Sequence, residues 1–246
     1  MQKALLELEE QVKGSVTWVI KWLAYDWDLP QPETPNIIII ASPNYKELKK
    51  RGIEGATYLT EARGDIPAET IILPISKETT ECILEETSHF FIGKYIPKRR
   101  AQQYSTNLSM HILQEAGAEL IKRIYGLNRN IDTKLPENIL GAKDLTGKAL
   151  FEEFLEGNID EFYKNIYFCN DVSTAKELYC KMIGFVKRTE FSQLFAHHIG
   201  DRLGQRLHQS LEAQTIQKQE LKEAIFTKEY PLRQRLEKLR RLAKRN

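Results

Sequence analysis

The sequence predicts an α+β protein in which a small N-terminal β-sheet packs against a large helical body. Three short apolar segments, at 36–41, 56–59 and 70–75, are rich in residues that favour strands and are bounded by proline, glycine and polar residues. After residue 76 almost every segment has the spacing of a helix. Strands followed by a run of helices are typical of the α+β class.

The chain begins with a predicted amphipathic helix at 3–25, which ends before Asp28-Leu29-Pro30 because proline cannot continue a helix. The isoleucine run at 36–41 predicts a fully buried strand, and a short helix is expected at 42–51. Further helices are predicted at 78–95, 105–126, 147–165, 172–187, 189–226 and 230–244.

Length and composition predict a folded chain with one sizeable core. The 246 residues are 41% hydrophobic and 28% charged, which is too apolar for a disordered protein. We predict an α+β core at 1–126 and a helical region at 127–226 that completes the same globular unit. A basic amphipathic C-terminal helix is predicted at 227–246.

The charge is concentrated in this C-terminal segment. Eight basic and two acidic residues give 227–246 a local charge of +6, and because the whole chain carries +2, the remainder carries −4. The tail also has leucines at helical spacing, namely Leu232, Leu236, Leu239 and Leu242. We expect this stripe to dock on the acidic body or on a second copy; an acidic partner, nucleic acid or an anionic membrane is the alternative.

Cysteine usage and hydropathy predict a cytoplasmic protein. Cys82, Cys169 and Cys180 are too few and too scattered for a disulfide framework or a Cys-x-x-Cys zinc site, so we expect reduced thiols. Three glutamates within the first ten residues argue against a signal peptide. No apolar run approaches the length of a transmembrane segment.

The predicted helix after the third strand carries a candidate metal site. Glu85 and His89 are i,i+4 neighbours, close enough to hold one divalent ion from a single helix. Glu86 lies beside them as a candidate general base for a water that the metal activates. A solvated helix face is the alternative interpretation. The next predicted helix offers a second i,i+4 pair, His111 and Glu115.

The order of elements, with Glu86-x-x-His89 on the helix after the sheet, resembles the zincin metallopeptidases, whose motif is His-Glu-x-x-His. The resemblance covers roughly residues 1–125. It implies that Glu86 is the catalytic base, that His89 is the second ligand and that Glu115 is the third, as in the gluzincin branch; Glu156 is a rival for that third position. It also implies a Zn²⁺ or other divalent cofactor and a peptide or protein substrate.

The sequence departs from the zincin pattern at the first ligand, where Glu85 replaces histidine. A carboxylate binds zinc at about 2.0–2.2 Å, but a set of Glu85, His89 and Glu115 favours a harder cation. His111 is an alternative nitrogen donor. The expected function is therefore a metal-dependent peptidase with an altered ligand set, or a catalytically inactive relative.

The alternative function is a non-enzymatic scaffold that binds partners through the long C-terminal helices. In that region His197 and His198 are followed by Asp201, but adjacent helix positions point about 100° apart, so the two histidines cannot easily bind one ion. We interpret them as structural, one at the core edge and one in solvent. Gly200 and Gly204, i,i+4 on the same helix, predict a close helix contact.

Overall fold

The computed structural model describes residues 2–40, 55–74, 79–96, 108–126, 145–158 and 188–245. Within them the chain is mixed α+β, as predicted, and forms two compact units: Met1–Gln102 with Ile124–Leu127, and Gln103–Arg123 with Asn128–Asn246. The predicted helices at 42–51 and 172–187 lie outside the described residues, as do Cys169 and Cys180. Among the described helices, none is long and apolar enough to cross a membrane.

The first unit contains a three-stranded sheet of β1 (Asn36–Ile40), β2 (Thr57–Leu59) and β3 (Thr70–Pro74). The strand order is β1-β3-β2, with β1 parallel to β3 and β2 antiparallel to it. Residues 70–73 of the central strand β3 are fully buried. The prediction that β1 is fully buried is wrong, because β1 lies at one side of the described sheet and Ile38 and Ile39 are only partly buried.

Two helices belong to the described part of the first unit. Helix α1 (Gln2–Asp26) buries the predicted apolar stripe from Val12 to Leu23, and the chain leaves the helix at Asp28, whose φ of 47° is left-handed. Helix α2 (Thr79–Gly93) packs against α1, β2 and β3. Its aromatic side chains Phe90 and Phe91 are fully buried, so the helix is anchored in the core of this unit.

The second unit is helical in its described part. It contains α3 (Leu108–Ile124), α4 (Leu145–Glu156), α5 (Arg188–Glu212), α6 (Lys218–Phe226) and α7 (Leu232–Ala243). Helix α3 is buried on nearly every side, polar residues included. Helix α7 packs on α4, α5 and α6 with all four of its leucines buried, which confirms that this chain covers the leucine stripe.

The prediction of one continuous helix at 189–226 is wrong. Helix α5 ends at Glu212, and Gln214 then adopts a left-handed φ of 58°. The backbone N–H and the hydroxyl of Thr215 both donate to the Ser210 carbonyl, at 3.0 Å each. These local bonds satisfy the end of α5 and turn the chain before α6 begins.

Candidate metal centre

Helices α3 and α5 bring three potential metal ligands together. Glu115 comes from the middle of α3, and His197 and Asp201 are i,i+4 neighbours on α5. One ligand atom from each lies within 4.8 Å of the other two. His197 Nδ1 lies 2.9 Å from Glu115 Oε2. Within the described part of the chain, this is the one group of three such residues with ligand spacing.

The centre lies at the boundary between core and solvent. Glu115 is buried, Asp201 is partly buried and the His197 side chain is 54% exposed. Burial, together with the nearby Glu115 carboxylate, raises the pKa of Asp201 to about 7. Two carboxylates held this close need a compensating positive charge, which a proton, a charged imidazole or a divalent cation can supply.

A third carboxylate on the same face of α3 is already paired with two cations. Glu119, one turn after Glu115, accepts from Arg123 Nε at 2.6 Å and lies 3.0 Å from Lys122 Nζ. Because these two cations occupy the Glu119 oxygens, Glu119 contributes to the charge around the centre rather than to its ligand set.

Glycine allows the two helices to approach this closely. A Cβ at Gly200 would lie 2.3 Å from Glu115 Cβ, and one at Gly204 would lie 2.6 Å from the Ala116 carbonyl oxygen. Neither distance is sterically possible, so a side chain at either position would push α3 away from α5. The close helix contact that the sequence predicts at Gly200 and Gly204 is confirmed.

The donor set suits a catalytic type of metal site. One imidazole and two carboxylates match borderline-to-hard divalent ions such as Zn²⁺, Fe²⁺ and Mn²⁺. Three protein ligands leave coordination positions open for water or substrate, as in catalytic rather than structural sites. The exposed His197 marks the side of the cluster that faces solvent.

The predicted ligands of the zincin-like set lie in both units. Glu85, Glu86 and His89 are on α2 in the first unit, and Glu115 is in the second. Glu86 and His89 are each only 8% exposed, so the solvated-face interpretation is wrong for these two side chains. Glu85 is partly buried. The predicted metal set of Glu85, His89 and Glu115, with Glu86 as base, stays a prediction.

The alternative nitrogen donor, His111, and the rival for the third ligand, Glu156, have different environments. His111 is buried on α3, whereas Glu156 is exposed at the end of α4 and lies 3.1 Å from Lys244 Nζ. That ion pair explains the position of Glu156 without a metal.

The sequence interpretation placed the paired histidines correctly but missed a contact. His198 is buried and His197 is exposed, as predicted. His197 and Asp201 share one helix face, and they are not predicted as a ligand pair from the sequence. That i,i+4 spacing was the available signal, and Glu115 is the ligand that only the tertiary fold adds to it.

Comparison of the chain with known protein families, with characterised proteins and with solved structures gave no match.

Proposed function

We propose that this protein binds a divalent cation through Glu115, His197 and Asp201 and acts as a metal-dependent hydrolase. The observation that carries the proposal is the convergence of these three ligand atoms within 4.8 Å from two closely packed helices. Side chains on packed helices are held more rigidly than side chains on loops, which favours a defined coordination geometry.

Each residue has a separate role in the proposed site. Glu115, buried on α3, is the fixed anionic ligand. Asp201 adds the second carboxylate and His197 the nitrogen donor, on the side that faces solvent. A cation bound there supplies Lewis-acid polarisation of a substrate oxygen and activation of water. A peptide substrate is implied by the zincin resemblance alone, whose motif lies on α2 and not at this centre.

Metal binding by the purified full-length chain tests the proposal. After chelator treatment, titration calorimetry with Zn²⁺ and with Mn²⁺ is expected to give one site per chain. The variants H197A and D201N should each weaken binding by about tenfold or more, since each removes one of three ligands. The variant H208A is the matched control, because His208 lies on the same helix beside Glu212. If H197A and D201N both bind the cation as tightly as the wild type, these two residues are not its ligands.

A second candidate is the zincin-like peptidase centre on α2. The burial of Glu86 and His89 favours it, because buried polar side chains at i,i+3 are uncommon on a helix without a structural or chemical role. The variants E86Q and H89A separate the two candidates. If peptide hydrolysis and metal binding depend on His89 and not on His197, the catalytic metal belongs to α2.

The scaffold alternative receives less support from the C-terminal helix. Four basic residues of α7 and the residues after it pair with carboxylates of the same unit: Lys238 with Glu223, Arg240 with Glu237, Lys244 with Glu156 and Arg245 with Glu220. Together with the buried leucines, these pairs leave less of the tail's charge for an external acidic partner.

A further inference from the structure

On the face of α5 that contacts α3, two proposed ligands alternate with two glycines. His197, Gly200, Asp201 and Gly204 follow at intervals of three, one and three residues, which places them on one side of a helix. His197 and Asp201 therefore each have a glycine beside them on the same face of α5. Glu115 of α3 packs against the first of these glycines, Gly200.

Gly200 is in direct contact with the part of α3 that carries the third ligand. A Cβ at position 200 would lie 2.3 Å from Glu115 Cβ and 3.0 Å from the Ala116 nitrogen. Carbon atoms in ordinary contact are about 3.5 Å apart, so an alanine at 200 would displace Glu115 from α5 by about 1 Å. At Gly204 the nearest atoms are the Ala116 carbonyl oxygen and Glu119 Cβ, so that glycine does not contact a ligand residue's side chain.

We infer that Gly200 is the residue that sets the size of the cation site, by fixing the distance between Glu115 and the pair His197–Asp201. This inference rests on the proposed metal site. Ligand atoms lie about 2.0–2.2 Å from Zn²⁺ and about 2.3–2.6 Å from Ca²⁺. A displacement of about 1 Å exceeds this whole difference, so a change of spacing at Gly200 is large enough to change which ion the site prefers.

The variant G200A tests the inference through ion selectivity, which a loss of stability alone does not change. Titration of the full-length chain with Zn²⁺ and with Ca²⁺ should show that G200A lowers the Zn²⁺-to-Ca²⁺ affinity ratio by about tenfold or more. The matched control is G14A, on α1, where an added Cβ meets no atom within 4 Å. It should leave the ratio unchanged. Helicity of each variant is measured with chelator present, so that folding is assessed without metal.

The variant E115D tests the dependence of ion selectivity on ligand spacing without a steric clash at position 200. It withdraws the carboxylate by one methylene while Gly200 stays in place, and the ratio should again fall by about tenfold. A folded G200A protein with the wild-type ratio overturns the inference, as does an unchanged ratio in E115D if G200A does not fold. Absence of any binding by the wild-type chain instead overturns the proposed function. If the wild type binds metal but the variants keep its Zn²⁺-to-Ca²⁺ affinity ratio, the inference on Gly200 fails and the proposed function does not.

Discussion

The buried side chain of Arg235 caps the C-terminal end of α6. Arg235 on α7 has no exposed surface, and its guanidinium donates to the carbonyls of Ala224, at 3.1 Å from Nε, and of Ile225. These carbonyls belong to the last turn of α6, where helix geometry leaves them without intrahelical partners. The positive charge also interacts favourably with the negative end of the helix dipole.

Replacing Arg235 with methionine should destabilise the protein by about 2–4 kcal/mol, because two buried carbonyls lose their donors. Urea denaturation followed by circular dichroism measures this change. The variant R233M is the control: Arg233 is exposed on the same helix, and a change within about 0.5 kcal/mol is expected. Equal effects at both positions would show that the buried hydrogen bonds of Arg235 are not the source of stability.

At the scale of elements, α6 begins with a local cap at its N-terminus. The Gln217 backbone N–H donates to Glu220 Oε2 at 2.9 Å, which satisfies a donor at the helix N-terminus. This bond, and then the pairing with Arg245, lowers the pKa of Glu220 below its ordinary 4.5. The carboxylate therefore stabilises the folded state in its charged form.

The variant E220A should lower the melting temperature at neutral pH, with an effect that depends on pH. Because the folded pKa is depressed, the contribution of Glu220 is complete above 4.5 and is lost as the pH falls through the lower folded value. The melting temperatures of wild type and E220A should therefore converge below pH 4.5. A difference that stays constant at lower pH would show that the charged cap is not responsible.

Elements with a strong local signal could be predicted from the sequence. The apolar period of α1, the isoleucine run of β1 and the leucine spacing of α7 each gave the correct element type, because the pattern lies within the element. The break between α5 and α6 was missed. It contains neither glycine nor proline, and it depends on Gln214 in a left-handed conformation and on hydrogen bonds to Ser210.

The candidate metal centre could be predicted only in part. Glu115 was singled out by its spacing from His111, but its actual neighbours are more than 80 positions further along the chain. The proximity of Glu115 to His197 and Asp201 depends on the helix contact at Gly200. A pair of glycines in a sequence predicts that another helix packs there, but it does not identify that helix. Tertiary packing, not helix periodicity, therefore determines which residues join Glu115.

At the scale of the molecule, α7 holds the second unit together. Its leucines contribute to the core, and basic side chains of α7 and of the two residues after it reach carboxylates on α4 and α6: Glu156, Glu220 and Glu223. Arg240 also donates to the carbonyls of Leu155, at 3.0 Å, and Gly157, at 2.6 Å, at the end of α4. The segment that the sequence predicts as a basic tail therefore packs within the second unit, where it contacts α4, α5 and α6.

Deletion of residues 231–246 should consequently unfold much of the second unit. Each of the four leucines gains about 1.5–3 kcal/mol from full burial, and their sum is comparable with the whole stability of a typical domain. We expect the truncated chain to lose helicity in circular dichroism and to melt at least about 10 °C lower. The control is R241Q in the full-length chain, since Arg241 is exposed, and its melting temperature should be unchanged. A truncated protein that melts like the full-length chain but no longer binds anionic vesicles or nucleic acid would instead make α7 an external binding arm.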